Sequence, residues 1–398
     1  MASGAFLAVL RQPGARRPTA GAVIASLPIG MLGLAVLLLV QRSQGRFASA
    51  GLAVGMLGAG TALGMTVQGR LIDRYGQTRV LLTAAGAQLL ALVGLVVAGR
   101  SGVLTAVLVC AFLGGACEPQ VNASLRALWF ALLPRRLLPA AMTLSSVLFE
   151  GPVLLGPLLL TAILPVFGPA AAILLCAALF ATGTAVLASS RASRVWRGDV
   201  RRNDLAGALA SPGVRTALLA AAGHGVIVGV VQVSAAARFT GYAGIMYAAM
   251  SAGSLSGAVL AGTRLQGGRP AWRMAGLTVL GAVALGAASL AASPVAFAFS
   301  LLALGACLGP AGVLGYGLVG RLAPPGHTVE AFTLVTAAGL SAIAAGATVA
   351  GTVADRFGSA DALRAGAAGA LLLALSLIAR RRSLPPGGGP DRGLDRPE

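Results

Sequence analysis

Three titratable side chains lie inside long apolar runs of the sequence, where a charge is costly. Glu118 and Glu150 fall well within two such runs, and His224 lies in a third. A carboxylate in lipid must face water, pair or take up a proton, and it is a functional candidate by default. Imidazole changes protonation near neutral pH. We interpret Glu150, with Glu118 assisting, and His224 as candidate proton-coupling residues, although His224 between two glycines fits a hydrogen-bonded packing residue equally well.

The elements that hold these residues are predicted to be membrane-spanning helices. The chain of 398 residues is 57% hydrophobic and 10% charged, with a mean hydropathy of +0.86, which is too apolar for a soluble globule. Windows of about nineteen apolar residues predict twelve helices. In chain order they are 20 to 40, 48 to 69, 80 to 98, 103 to 125, 140 to 164, 168 to 189, 214 to 236, 242 to 262, 274 to 292, 295 to 319, 330 to 352 and 361 to 379. We expect an all-α polytopic membrane protein of twelve transmembrane helices in two pseudo-symmetric six-helix bundles.

Short internal repeats support a division into two halves. Pro13-Gly14-Ala15-Arg16 before helix 1 resembles Pro212-Gly213-Val214-Arg215 before helix 7, and Ala141 to Leu144 resembles Ala331 to Leu334. Because each half has an even number of helices, both enter the membrane from the same side. The predicted segments are an N-terminal segment 1–19, a first bundle 20–189, a linker 190–213, a second bundle 214–379 and a disordered tail 380–398.

Basic residues mark one side of the membrane. All 30 are arginines, and the net charge is +19. They lie between apolar runs and in the tails, so we predict no nucleic-acid partner. With the N-terminus cytoplasmic, 24 arginines lie inside and 6 outside, as the positive-inside rule requires. We therefore expect a multi-pass cell-membrane protein with both termini cytoplasmic, and interfacial positions for Trp129, Trp196 and Trp272.

The loop from Gly69 to Arg79 reads GRLIDRYGQTR, and it resembles the signature G-x-x-x-D-R-x-G-x-x-R that follows the second helix of major facilitator superfamily transporters. The resemblance implies a loop that latches two bundles together on the cytoplasmic side when the carrier faces outward, with Asp73 in the key acidic position. A positively charged turn is the simpler alternative. The equivalent loop of the second half, Gly262 to Arg269, has no aspartate. The predicted gating residues are Gly69, Asp73, Arg74, Gly76 and Arg79.

Two further segments match the family only in part. Helix 5 contains a Gly-Pro element similar to that of exporters in the family, made of Gly151, Pro152, Gly156 and Pro157, but Pro152 stands where that pattern has glycine. The segment Gly351 to Gly358 repeats the loop signature after helix 11, on the outer face, and we interpret it as a coincidental or structural likeness. Helix 4 lacks the arginine that the family's drug exporters often carry, which leaves proton coupling to other residues.

Candidate substrate contacts, and the catalytic motifs that the sequence does not contain, restrict the classes of function to be considered. Gln232, Tyr247 and Tyr316 are candidate substrate contacts in the second bundle. The sequence contains no nucleotide-binding loop, metal cluster or nucleophile constellation, so we predict neither an enzyme nor a cofactor. The predicted function is a monomeric secondary transporter that exports a hydrophobic drug-like molecule or metabolite in exchange for protons, working within the lipid bilayer by alternating access. The alternatives are a proton-coupled importer of a small metabolite and a non-transporting membrane receptor.

Overall fold

The computed structural model describes residues 7–196, 205–262, 269–324 and 327–384. The side-chain surroundings of Glu150, Gly151 and Pro152 lie outside the described part, as do most of the loop predicted between helices 8 and 9 and the tail from residue 385 onward.

Apolar helices make up almost all of the described chain. The bounds are α1 Arg16–Gln44, α2 Phe47–Tyr75, α3 Gln77–Ser101, α4 in two pieces, Leu104–Ala116 and Val121–Leu132, α5 138–167, α6 169–188, α7 Pro212–Arg238, α8 Ala243–Gly262, α9 Pro270–Leu290, α10 Pro294–Leu322, α11 Thr328–Phe357 and α12 Ser359–Ala379. Within the described residues, eleven helices are long and apolar enough to cross a membrane. Two short helices, Arg191–Val195 and Leu205–Leu209, lie in the linker.

Helices α5 and α6 form one continuous stretch of 51 residues, Leu138–Ala188. A straight helix of that length would be about 76 Å long, more than twice the thickness of the hydrocarbon core. The stretch changes direction at Gly168, whose φ of 72° and ψ of 177° are not helical and suit a residue without a Cβ. It therefore contains two spans, and the twelve-helix fold predicted from the sequence is confirmed.

The two bundles repeat the same glycine-mediated packing. A Cβ at Gly60 of α2 or Gly115 of α4 would fall into the backbone of the other helix, and the same holds for Gly253 of α8 and Gly305 of α10. Close approach of backbones through glycine is how helices associate where lipid supplies no hydrophobic drive. Because the second and fourth helices of each bundle pack in the same way, the halves are related as parallel repeats.

The ends of the helices define two faces. We call the face where α1 begins and α12 ends the terminal face, and the opposite one the distal face. Helices α2 and α11 touch along their distal halves, from Phe47 against Gly351 to Gly58 against Leu340, whereas nothing lies within 4 Å of a Cβ built at Gly69, nearer the terminal face. Helix α5 also meets α8 in the distal half, where Gly244 contacts Thr161. The bundles are therefore closed at the distal face and separate toward the terminal face.

One aromatic expectation is wrong. Trp129 is fully buried in the first bundle and packs with Leu125 and Leu128. Its indole Nε1 donates to Ser145 Oγ at 2.8 Å, which joins α4 to α5. A side chain that is large and has one polar atom suits an interface, but it also suits a core position that offers a single acceptor. Trp272, in contrast, is 48% exposed near the terminal face.

Candidate functional site

Helix α4 is interrupted halfway along its length. Helical structure stops at Ala116 and resumes at Val121, and Glu118 lies inside this break. Pro119 explains the interruption, because proline has no N–H to donate and its ring clashes with the preceding turn. At 1.5 Å per residue, the break lies about 20 Å from either end of α4. The span extends to Leu132, beyond the end predicted at residue 125. Glu118 is therefore near the middle of the span.

Side chains satisfy the backbone groups that the break releases. Gln68 of α2 donates its Nε2 to the carbonyls of Ala116 (3.0 Å) and Glu118 (2.9 Å), and Gln120 Nε2 donates to the same Glu118 carbonyl at 3.1 Å. Irregular backbone at this depth is tolerated where neighbouring groups satisfy it. The Oε1 atom of Gln68 is buried and has no hydrogen-bond partner among the described residues, so it remains available as an acceptor.

The Glu118 carboxylate has a hydroxyl partner and no cationic one in the described part of the chain. Thr61 Oγ1 of α2 lies 3.1 Å from Glu118 Oε2 and 3.1 Å from the Leu57 carbonyl. A hydroxyl has one hydrogen to donate and lone pairs to accept. Thr61 therefore donates to an ionised Glu118, or accepts from a protonated one while donating to Leu57. This geometry accommodates both protonation states without moving a helix.

Helix α1 is interrupted at the same level. Its helical turns tighten to a 3₁₀ turn at Leu27–Gly30, which contains Pro28. Ser26, just before that turn, has its hydroxyl 3.2 and 3.1 Å from the amide oxygen and nitrogen of Asn122, just after the α4 break. Facing interruptions of two helices place polar groups inside the membrane. We call this set the polar cluster; its members are Ser26, Thr61, Gln68, Glu118, Gln120 and Asn122.

The described half of the helix-5 Gly-Pro element packs between α1 of the first bundle and α8 of the second. A Cβ at Gly156 would approach Gly30 of α1 to 2.9 Å, so the glycine lets α5 pack on the 3₁₀ turn. The Pro157 carbonyl accepts from Thr161 at 2.9 Å, and Gly244 of α8 packs against both residues.

His224 lies away from the polar cluster. Its Nε2 is 3.1 Å from Thr278 Oγ1 of α9, and that hydroxyl is also 2.8 Å from the Met274 carbonyl. The flanking Gly223 packs on α12 and Gly225 on α11. The structure thus places His224 among helices of the second bundle, without contact to Glu118.

The three predicted substrate contacts do not touch one another. Gln232 is buried and faces Gly33 of α1 across the bundle interface, where a Cβ would lie 2.9 Å from its Nε2. Tyr247 is partly buried against the main core. Tyr316 is 47% exposed near the terminal face, 3.4 Å from Thr336 Oγ1 and stacked on Phe332. Only Gln232 joins the two bundles.

The predicted gating loop forms a tight corner at the terminal face. Gly76 has a φ of 87°, and its N–H donates to the Ile72 carbonyl at 2.8 Å. The Arg74 guanidinium lies over the Tyr75 ring, and Arg79 lies beside a shallow depression that Tyr75 and Gly76 also line. The Asp73 carboxylate makes no hydrogen bond or ion pair with any described residue.

Comparison with known proteins identifies the family. The profile of the Major Facilitator Superfamily matches residues 19–347. The chain belongs to the Major Facilitator Superfamily. A comparison with curated protein sequences finds no match.

Solved structures of several transporters share this fold. The nucleoside transporter NupG is 12% identical, with a TM-score of 0.72 over 92% of this chain and 99% of its own. An auto-inhibited POT family peptide transporter is 16% identical, with a TM-score of 0.67 over 97% and 99%. The human organic anion transporter MFSD10 is 18% identical, with a TM-score of 0.61 over 92% and 100%. At these identities the likeness shows the fold alone.

Membership in the Major Facilitator Superfamily makes this chain a multi-span membrane transporter. Carriers built from two such bundles work by rocking one bundle against the other around a central site. Bundles that touch at one face and separate at the other fit one state of such a cycle. The polar cluster was missed in the sequence, apart from Glu118. Single polar residues in glycine-rich helices gave no signal there, although Pro28 and Pro119 marked both interruptions.

Proposed function

We propose that this transporter exchanges protons for a hydrophobic drug-like molecule or metabolite and exports it from the cell. The arginine distribution supports a cytoplasmic terminal face, and we propose that the transporter works as a monomer. The observation that carries the proposal is Glu118, a carboxylate near the middle of a membrane span that contacts the Thr61 hydroxyl and has no cationic partner among the described residues.

The carboxylate can bind a proton in one state of the cycle and release it in the other. When the site is dry, the protonated form is favoured, and when water enters, the ionised form gains its hydration back. Thr61 stabilises either form by reversing the direction of its hydrogen bond. Glu118 is therefore our first candidate for coupling, with Glu150 and His224 as the other two.

The composition of the bundle helices supports an apolar cargo. The bundle helices carry mainly Ala, Leu, Val and Gly, and weakly polar walls favour apolar cargo over sugars or anions. The amides of Gln68, Gln120, Asn122 and Gln232 favour the second candidate, a proton-coupled importer of a small hydrogen-bonding metabolite. Nucleoside and peptide transporters are among the structures that share the fold.

The direction of transport is tested first in cells. Expression is expected to lower the susceptibility of cells to a subset of hydrophobic toxic compounds, compared with cells that carry an empty vector. Increased susceptibility, or increased accumulation of a labelled metabolite, would instead support the importer.

Coupling is tested with purified transporter in proteoliposomes under an imposed pH gradient, with the compound that gives the largest resistance. We expect Glu118→Gln to abolish gradient-driven accumulation but to permit downhill exchange, because glutamine keeps the shape of the side chain and cannot titrate. Glu150→Gln is measured in parallel, and Asp361→Asn, an exposed acid on α12, is the control. Undiminished accumulation by Glu118→Gln would move the coupling role to Glu150 or His224.

A further inference from the structure

One acidic side chain joins the two bundles at the distal face. Asp355, near the end of α11, accepts two backbone hydrogen bonds from the first turn of α2: Phe47 N to Oδ1 at 2.9 Å and Ala48 N to Oδ2 at 2.8 Å. The first N–H groups of a helix have no partner within the helix, and they carry its positive dipole end. Both oxygens of Asp355 therefore cap α2 from the opposite bundle.

The cap lies at the end of a tightly packed seam. Below it, Gly351 packs on Phe47, and a Cβ at Gly51 would fall into the Ala347 carbonyl. Thr348 Oγ1 also lies 3.3 Å from the Gly51 carbonyl. Because α2 belongs to the first bundle and α11 to the second, the distal face cannot open without breaking both hydrogen bonds of Asp355.

The corner that follows Asp355 has the same local geometry as the one that follows Asp73. Both segments read G-x-x-x-D-R-aromatic-G. Gly358 has φ 95° and ψ 162°, and Gly76 has φ 87° and ψ 156°; in each case the next helix begins at the following residue. Asp73, at the separated terminal face, has no partner among the described residues, whereas Asp355, at the closed distal face, has two. A coincidental likeness does not account for this pairing.

We propose that Asp355 is a latch for the distal face, which stabilises the state open to the terminal face by capping α2. It is a positioning residue for the transport cycle, and its hydrogen-bond partners among the described residues, Phe47 and Ala48, lie outside the polar cluster. When the distal face opens, the carboxylate and the two N–H groups are hydrated separately. The proposal rests on the alternating-access part of the proposed function, and it is independent of protons, cargo and direction.

The test measures the distance between the distal ends of α2 and α11 by double electron–electron resonance. Spin labels are placed at the exposed positions 46 and 357 through Arg46→Cys and Phe357→Cys, in a full-length chain whose four native cysteines are replaced, reconstituted in lipid nanodiscs. Asp355→Asn removes the charge and one acceptor oxygen. We expect the ratio of closed to open distal ends to fall about tenfold, the equivalent of about 1.4 kcal/mol. The expected signature is a second, longer distance.

Two further variants make the test specific. Asp361→Asn removes an acid from the same face, but among the described residues Asp361 pairs only with Arg364 on its own helix, at 2.8 Å. The distance distribution of this variant should therefore match that of the parent. Ala48→Pro removes the Ala48 N–H, one of the two donors to Asp355, in the first turn of α2, where proline is tolerated. It should shift the distance distribution in the same direction as Asp355→Asn. The double variant should shift the distribution by less than the sum of the shifts of the two single variants.

The proposal is overturned if Asp355→Asn leaves the distance distribution of the parent unchanged, or if Asp361→Asn shifts it equally. If Asp355→Asn does not fold, Ala48→Pro alone decides, with the same two outcomes. Because the readout needs neither a substrate nor a pH gradient, these outcomes stay separate from a failure of the coupling experiment.

Discussion

At the scale of single residues, the transporter places its acids in distinct surroundings. Glu118 lies in a helix break with a hydroxyl that serves either protonation state. Asp355 receives two backbone N–H groups. Asp73 has no partner within the described part of the chain. A negative charge is stabilised at the N-terminus of a helix, which is the positive end of the helix dipole. Asp355 has this stabilisation in the present state, and Asp73 lacks it.

The free carboxylate of Asp73 leads to a prediction about kinetics. Asp73→Asn removes no contact that the described residues make in this state, so insertion and abundance should stay normal. The resemblance implies that the Asp73 loop latches the terminal face when the distal face is open, so the variant should destabilise that state. We expect transport to fall about five- to tenfold, equivalent to about 1 to 1.4 kcal/mol on a limiting step. Transport is measured in vesicles at matched protein level. A normal rate would reduce this loop to a charged turn.

At the scale of helices, interruption and close packing work together. The break in α4 is held because α2 packs against it through Gly60 and Gly64, both of which approach the α4 backbone. That approach brings Thr61 and Gln68 within hydrogen-bond distance of the break. A wider spacing of the two helices would leave buried carbonyls without donors, which is costly in lipid.

Helix spacing can be tested with a matched pair of glycines. Gly60→Ala adds a Cβ that would fall into the Phe112 carbonyl of α4, whereas nothing lies within 4 Å of a Cβ at Gly86 of α3. We expect Gly60→Ala to lower the apparent melting temperature by several degrees, since overpacking costs about 1 to 3 kcal/mol. Gly86→Ala should leave it unchanged or raise it, because alanine favours helix. Equal melting temperatures for the two variants would contradict the packing described for α2 and α4.

The sequence predicted the helices far better than the site. Lengths of apolar runs are local properties, and they sufficed for the twelve-helix fold. Which side chains meet depends on the rotation and spacing of helices, which no local pattern encodes. Asp355 and Phe47 are 308 residues apart, and Ser26 meets Asn122 across 96. Trp129 was misplaced for the same reason, because an aromatic near a helix end fits both an interface and a core.

At the scale of the whole molecule, the arginine distribution and the packing of the bundles distinguish the same two faces. The terminal face carries most of the arginines, and it is also the face toward which the bundles separate. If that face is cytoplasmic, as we propose, the structure shows the carrier open to the cell interior with its outer side closed.

Orientation is tested with single cysteines and a membrane-impermeant maleimide, in a chain whose native cysteines are replaced. Arg46 at the distal face and Arg136 at the terminal face are both exposed. In intact cells, Arg46→Cys should be labelled and Arg136→Cys should react only after permeabilisation. Labelling of Arg136→Cys from outside would invert the topology and place Asp73 on the external side.

The connections at the distal face are very short. Two residues join α1 to α2 and α3 to α4, and a single glycine joins α5 to α6 and α11 to α12. The helix tips themselves are therefore almost all that this face exposes. An antibody or toxin approaching from that side would find few epitopes, and a protease would find almost no loop to cleave. Conformation-selective binders raised against the carrier should accordingly recognise the terminal face, where the linker and the arginine-rich ends lie.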